Sequence, residues 1–190
     1  MTDQINMTHG GGGRAMADLI RDVFQKHLAN PILDRGDDAG LFAVQNGRMV
    51  MSTDGHVIAP LFFPGGDIGA LSVHGTVNDL AMMGARPLYL TAGFILEEGF
   101  PRADLDRIVQ SMAQAANAAG VQVISGDTKV VERGKGDGVF ITTTGIGVVP
   151  ESLDLSVVNV AAGQSVLVSG TIGAVSYTHL RAPRLRRISY

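Results

Sequence analysis

Ser52 to Pro87 reads STDGHVIAPLFFPGGDIGALSVHGTVNDLAMMGARP, and the rest of the chain is arranged around it. Arg48 to Thr53 has the residues of a β-strand, which Asp54 ends. Gly65-Gly66 breaks the chain, and Asp67 stands where a helix N-cap belongs. The helix after it has Ile68, Leu71, Val77, Leu80, Ala81 and Met83 as apolar positions. Gly84 and Pro87 supply its stop. Asn78 and Asp79 sit inside this mostly apolar helix although both are poor helix formers. Two readings are open. The pair lies on a solvent-facing stripe, or Asp54, Asp67 and Asp79 converge on a divalent cation that offsets carboxylate burial.

Toward the N-terminus, Asn46-Gly47 separates Leu41–Gln45 from Arg48–Thr53, which predicts a β-hairpin. That hairpin brings Asp37 and Asp38 to the end where Asp54 lies. The carboxylates form either a solvated acidic turn or a cation site. Earlier still, His9-Gly10-Gly11-Gly12-Gly13 leads into an amphipathic helix with Met16, Leu19, Ile20, Val23, Phe24 and Leu28 on one face. A glycine loop before a helix can offer backbone N–H groups to an anion. No Gly-Lys-Ser/Thr comes after it, so this is not a Walker A loop.

Toward the C-terminus, Leu88–Leu96 reads as a strand and Pro101 opens a long helix closed by Gly120. Val121–Ile124 reads as a short buried strand running into Ser125-Gly126-Asp127-Thr128-Lys129, and Val139–Val149 as a long one. Helices and strands mix without strict βαβ alternation, so the expected class is α+β: a mixed sheet with helices packed on one face. The expected organisation is a domain over 1–150, a linker and first strand of a truncated second domain over 151–173, and a non-native tail over 174–190.

The chain has 190 residues, 45% of them hydrophobic, and a net charge of -3, which gives no sign of a nucleic-acid surface. It has no cysteine, which excludes disulfides, thiolate metal sites and a cysteine nucleophile. Neither a signal peptide nor an apolar run of membrane-spanning length is present, so a cytoplasmic protein with no membrane partner is the default. Asp37, Asp38, Asp54, Asp67, Asp79 and Asp127 all stand among Gly, Ser or Thr, which suits a hard cation shared with phosphate oxygens. Lys129 adds a point charge for phosphate.

HGGGGRAM, GDDAG, STD, APLFFPGGDIG, GTVNDLAMMGARP and SGDTKVV together resemble the hydrogenase maturation family HypE. That family lies in the PurM-like superfamily of aminoimidazole ribonucleotide synthetase, thiamine monophosphate kinase and selenophosphate synthetase. The acidic motifs indicate only the superfamily, whereas the run Ala59–Gly69, with GTVNDLAMMGA and GDTKVV, is far more specific and points to HypE. Gly55-His56 departs from the Ser and bulky apolar residue expected there. The resemblance implies a PurM-like N-terminal domain that binds ATP and Mg2+ and uses a sheet face for dimerisation. It implies nucleotide contacts from His9, Gly10, Gly11, Gly12, Asp37, Asp38, Asn78, Asp79, Thr128 and Lys129. Metal contacts would come from Asp38, Asp54, Asp79 and Asp127, with Lys129 aiding the chemistry and Asp67 a further candidate. The reaction implied is ATP-dependent dehydration of a carbamoyl group, carried on a C-terminal cysteine, to the thiocyanate that supplies cyanide to a nickel–iron hydrogenase. Partners implied are a second copy of the chain, the carbamoyl-transferring factor HypF and the HypC–HypD complex. The alternatives are another ATP-dependent enzyme of the superfamily, such as a thiamine monophosphate kinase or selenophosphate synthetase, or a nucleotide-binding dimerisation domain without turnover.

Overall fold

The computed structural model describes residues 4–43, 46–165 and 167. A 3-10 turn, Met7–His9, precedes α1 (Gly13–Leu19), which runs through a π-helical stretch, Ile20–Gln25, into a last helical turn, α2 (Lys26–Leu28). Then come β1 (Arg48–His56), a two-stranded ribbon of β2 (Phe62–Phe63) and β3 (Gly66–Asp67), α3 (Ile68–Met82), β4 (Arg86–Glu97), α4 (Arg102–Ala119), β5 (Gln122–Val131) and β6 (Val139–Val149).

Local signals place these elements. Asp67 Oδ1 accepts the Ala70 N–H at 3.0 Å and caps α3. The α4 helix begins after Pro101 and ends at Gly120, whose φ of 68° is the left-handed closure. The main sheet runs β1-β6-β4-β5. β4 and β5 are parallel and joined across α4, while β6 is antiparallel to both β1 and β4. Leu90, Phe94 and Leu96 of β4 and Ile141 of β6 bury one sheet face against Ile68 and Val73 of α3 and Leu105, Ile108 and Met112 of α4. By strand alternation Met49, Met51 and Ile95 project from the other face, and all three are exposed. The α+β class with helices on one face is thus what the chain adopts.

Three local expectations change. The hairpin does not form: residues 41–43 are not a strand, and Val44 and Gln45 lie outside the described residues. β1 pairs instead with β6, Arg48 opposite Val149 and His56 opposite Ile141. The described residues of the segment before it contact three strands of the sheet. Gly40 lies against Ile124 of β5, the Phe42 ring packs on Tyr89 of β4 with centroids 4.8 Å apart, and Gly47 lies against Val148 of β6. Second, β1 continues to His56 and β5 to Val131, so Asp54 and Asp127 lie within strands rather than past their ends. Third, the buried stripe of α3 is Ile68, Ser72, Val73, Thr76 and Leu80, with Asp79 exposed. Asp79 is therefore not a buried carboxylate, and burial gives no reason to place a cation beside it.

Beyond β6, residues 150–165 are mostly exposed, with one 3-10 turn at Val157–Asn159. Arg48 holds this segment to β1 through the Leu153 carbonyl and Asp154. The expected start of a second domain falls largely outside the described residues, and the expected non-native tail over 174–190 wholly so. Among the described residues no helix is long and apolar enough to cross a membrane.

Candidate functional site

Within one copy of the chain the acidic residues form two groups. One lies at the β1 edge. Ser52, Asp54 and His56 alternate along β1 toward α3, and Ser52 Oγ donates to Asp79 Oδ2 at 2.7 Å. His56 is buried, and its Nε2 lies 3.2 Å from Thr143 Oγ1 and 3.8 Å from Asp54 Oδ2. Thr143 donates to the Ser72 carbonyl at 2.9 Å and pairs with Thr76 Oγ1 at 2.6 Å. A short chain of buried hydroxyls thus anchors the His56 ring under Asp54. Burial pushes His56 below its ordinary pKa, while the negative charges of Asp54 and Asp79 pull the other way. Asn78 is half-buried on the next position of α3.

The other group lies at the β5 edge. Asp127 Oδ1 accepts the Thr128 N–H at 2.8 Å, and Lys129 Nζ lies 2.7 Å from each Asp127 oxygen. The Lys129 contact first, then the Thr128 N–H, hold the Asp127 carboxyl below its usual range against the opposing effect of partial burial. Asp37 pairs with Arg35 at 2.8 Å. A cavity of about 480 Å³ opens here, with Asp37, Asp38, Ser125, Gly126, Asp127 and Thr128 in its lining.

The glycine loop is tied to the same strand. Asn6 N–H donates to His9 Nδ1 at 3.1 Å, so the buried His9 ring closes its own turn. Gly10 presses on β5: a Cβ there would stand 2.6 Å from Val130 N. Gly11 and Gly12 are exposed ahead of α1.

Asp67 does not join either group. Its carboxylate caps α3, and twelve residues at about 1.5 Å each place Asp79 roughly 18 Å away along the axis. The two groups are also apart, since β6 and β4 lie between β1 and β5, a separation of about 14 Å across three strand spacings. Among the described residues no three His, Asp or Glu side chains gather as a metal set. Each group taken alone offers carboxylate and hydroxyl oxygens, the donors a magnesium ion shares with water and phosphate. Sequence reasoning missed the buried support from His56, Thr76 and Thr143, because a β-strand alternation does not reveal what faces a histidine. It also missed the apolar walls of the cavity, which come from segments that only tertiary structure brings together.

The family model of the AIR synthase related protein, N-terminal domain, matches residues 36–149. Carbamoyl dehydratase HypE of Azotobacter vinelandii is 64% identical over 169 residues, 89% of this chain and 50% of that protein. The crystal structure of the hydrogenase maturation protein HypE in complex with ATP superposes with a TM-score of 0.74 at 54% identity, covering 76% of this chain and 43% of that one. The crystal structure of a HypE–HypF complex has a chain that matches with a TM-score of 0.53 at 54% identity, over 69% of this chain and 42% of that one. The chain spans about half the length of the curated relatives it matches.

Proposed function

We propose, from the premise that this chain belongs to the AIR synthase related protein family through its N-terminal domain, that it is the nucleotide-binding part of a carbamoyl dehydratase serving hydrogenase maturation. The likeness to carbamoyl dehydratases over nearly nine-tenths of the chain carries this reading. The same likeness, with the Ala59–Gly69 run, favours it over a small-molecule kinase of the superfamily.

Mg·ATP is the co-substrate. Asp54 and Asp79 at one edge, and Asp38 and Asp127 at the other, are the residues that would hold Mg2+ and through it the phosphates. Asn78 and Thr128 position the nucleotide, and the exposed Gly11-Gly12 backbone covers it. Lys129 shields the phosphoryl charge once a cation has replaced it on Asp127. Phosphorylation of the carbamoyl oxygen turns a poor leaving group into phosphate, and loss of phosphate and a proton leaves the thiocyanate. The thiol that carries the group is not among these 190 residues, which contain no cysteine.

A second copy completes the site. Two four-stranded sheets packed on their open faces obey twofold symmetry in two ways. With the axis along the strands, the β1 edge of one copy lies over the β5 edge of its partner, so the edges that carry the two acidic groups are juxtaposed, with Asp54 and Asp79 on the helix side of theirs. HypF is the donor of the carbamoyl group, in keeping with the HypE–HypF complex, and HypC–HypD receives the product.

The test is a chimera of residues 1–150 with the C-terminal half of the Azotobacter vinelandii protein. Mass spectrometry should show ATP-dependent loss of one water from its carbamoylated cysteine. Asp79→Asn, at an exposed position, should abolish that loss and leave the melting temperature unchanged. A chimera that binds ATP but never dehydrates the carbamoyl group would overturn the assignment.

A further inference from the structure

The Mg·ATP reading gives no role to His56. Only 5% of its side chain is exposed, against 45% for the Asp54 side chain beside it. The ring thus stands between a hydroxyl network that is wholly inside and a carboxylate that reaches solvent.

Following the protons along that network fixes which nitrogen of the ring is the donor. The Ser72 carbonyl can only accept, so Thr143 Oγ1, 2.9 Å from it, gives its proton there. Thr76 Oγ1, at 2.6 Å, must then donate to Thr143. The Ser72 hydroxyl is committed to the Gly69 carbonyl at 2.8 Å and takes no part. Thr143 Oγ1 keeps one lone pair, and His56 Nε2 meets it at 3.2 Å as an N–H donor.

Two consequences follow for Asp54. With a proton on Nε2, the ring has no lone pair at that atom for a cation, so His56 is not a ligand through it. Thr143 stands opposite Asp54 across the β1–β6 ladder but has no proton left to give it. The positive end of the imidazole dipole takes that place, with Nε2 3.8 Å from Oδ2. That is too long for a hydrogen bond but close for a charge and a dipole. Gly75 of α3 makes the arrangement fit, since a Cβ there would stand 2.8 Å from His56 Cε1 and 2.9 Å from Asp54 Oδ2.

We propose that His56 is a positioning residue for the cation site: the Nε2 edge of its ring, fixed by Thr143, Thr76 and Ser72, holds Oδ2 of Asp54 toward α3 and turns the other oxygen outward to Mg2+. The inference rests on the Mg·ATP reading above and adds the group that orients one of its ligands. An unsupported aspartate at the surface samples several rotamers, and fixing it as the cation arrives costs side-chain entropy. The ring removes that cost beforehand. Losing such a partner typically weakens metal binding by about 10–100-fold.

Two measurements on the whole chain test this. Long-range proton–nitrogen correlation spectra should show the His56 proton on Nε2. For binding, His56→Gln sets an amide nitrogen near the place of Nε2, whereas His56→Asn sets it near that of Nδ1. His56→Gln should keep Mg·ATP affinity within about threefold of wild type, and His56→Asn should lose about tenfold. Binding of ATP without magnesium should change by less than about twofold in either variant. An Nε2 without a proton, or equal Mg·ATP affinities in the two variants, would overturn the positioning role while leaving the Mg·ATP reading in place. The spectrum is decisive on wild type even where His56→Asn folds poorly. If magnesium adds nothing to ATP binding by wild type, the Mg·ATP reading is wrong and this inference goes with it.

Discussion

A methyl group on Gly75 would stand 2.9 Å from Asp54 Oδ2 and 2.8 Å from His56 Cε1. The Asp54 carboxylate can swing aside while the anchored His56 ring must also give way, so Gly75→Ala should displace the carboxylate at some cost in packing. Alanine also improves helix propensity by up to about 1 kcal/mol. The melting temperature should therefore change little while Mg·ATP affinity falls by about tenfold, as calorimetric titration beside a thermal melt would show. Undiminished affinity would mean that Asp54 is not where the cation arrives. Asp67 was legible from sequence because Gly-Gly-Asp before an apolar run has few structures open to it. Asp79 was not. The α3 core stripe includes Ser72 and Thr76, whose hydroxyls are satisfied by the Gly69 carbonyl and by Thr143. Counting only hydrophobic residues therefore turns the helix by part of a turn and misplaces its exposed face.

At the level of elements, the N-terminal helical segment is held to α4 by ion pairs as well as by apolar contact. Asp22 meets Arg102 at 3.0 Å, and Asp106 meets Lys26 at 2.8 Å and His27 at 3.0 Å. Burial raises the Asp106 pKa, but Lys26 and His27 together lower it further, and the net position is below the usual carboxylate range. A carboxyl whose folded pKa is depressed stabilises the fold above its unfolded pKa and loses that contribution as pH falls through the folded one. Asp106→Asn should accordingly lower stability by about 0.5–1 kcal/mol at neutral pH. The gap from wild type should narrow as pH falls below the ordinary carboxylate range and close once Asp106 is protonated in the folded chain, seen as converging melting temperatures. A gap that persists in acid would assign the loss to packing. Most elements were legible because caps and periodicity agreed. The hairpin was not, since Asn-Gly between apolar runs reports a turn but not which strand pairs beyond it. Here Phe42 finds Tyr89, and β1 finds the longer partner β6.

For the molecule as a whole, the open sheet face is where the proposed second copy would pack. Met51, at 69% exposure, stands on it next to Met49, with Ile95 farther along on β4, apolar surface that a second copy would cover. Sedimentation at high micromolar concentration should show a dimer. Met51→Lys should leave a monomer with stability within about 0.5 kcal/mol of wild type. A wild-type chain that stays monomeric would count against the face-to-face arrangement. The strand order carries one more implication, for synthesis. β4, α4 and β5 succeed one another and can assemble as they emerge. β1 is made before them all, yet among the described strands it pairs only with β6, about a hundred residues later. On the ribosome it must wait with both edges bare, and its methionines are then open to chaperones and to neighbouring nascent chains. The half of the candidate site that carries Asp54 is therefore the last part of the domain to be completed.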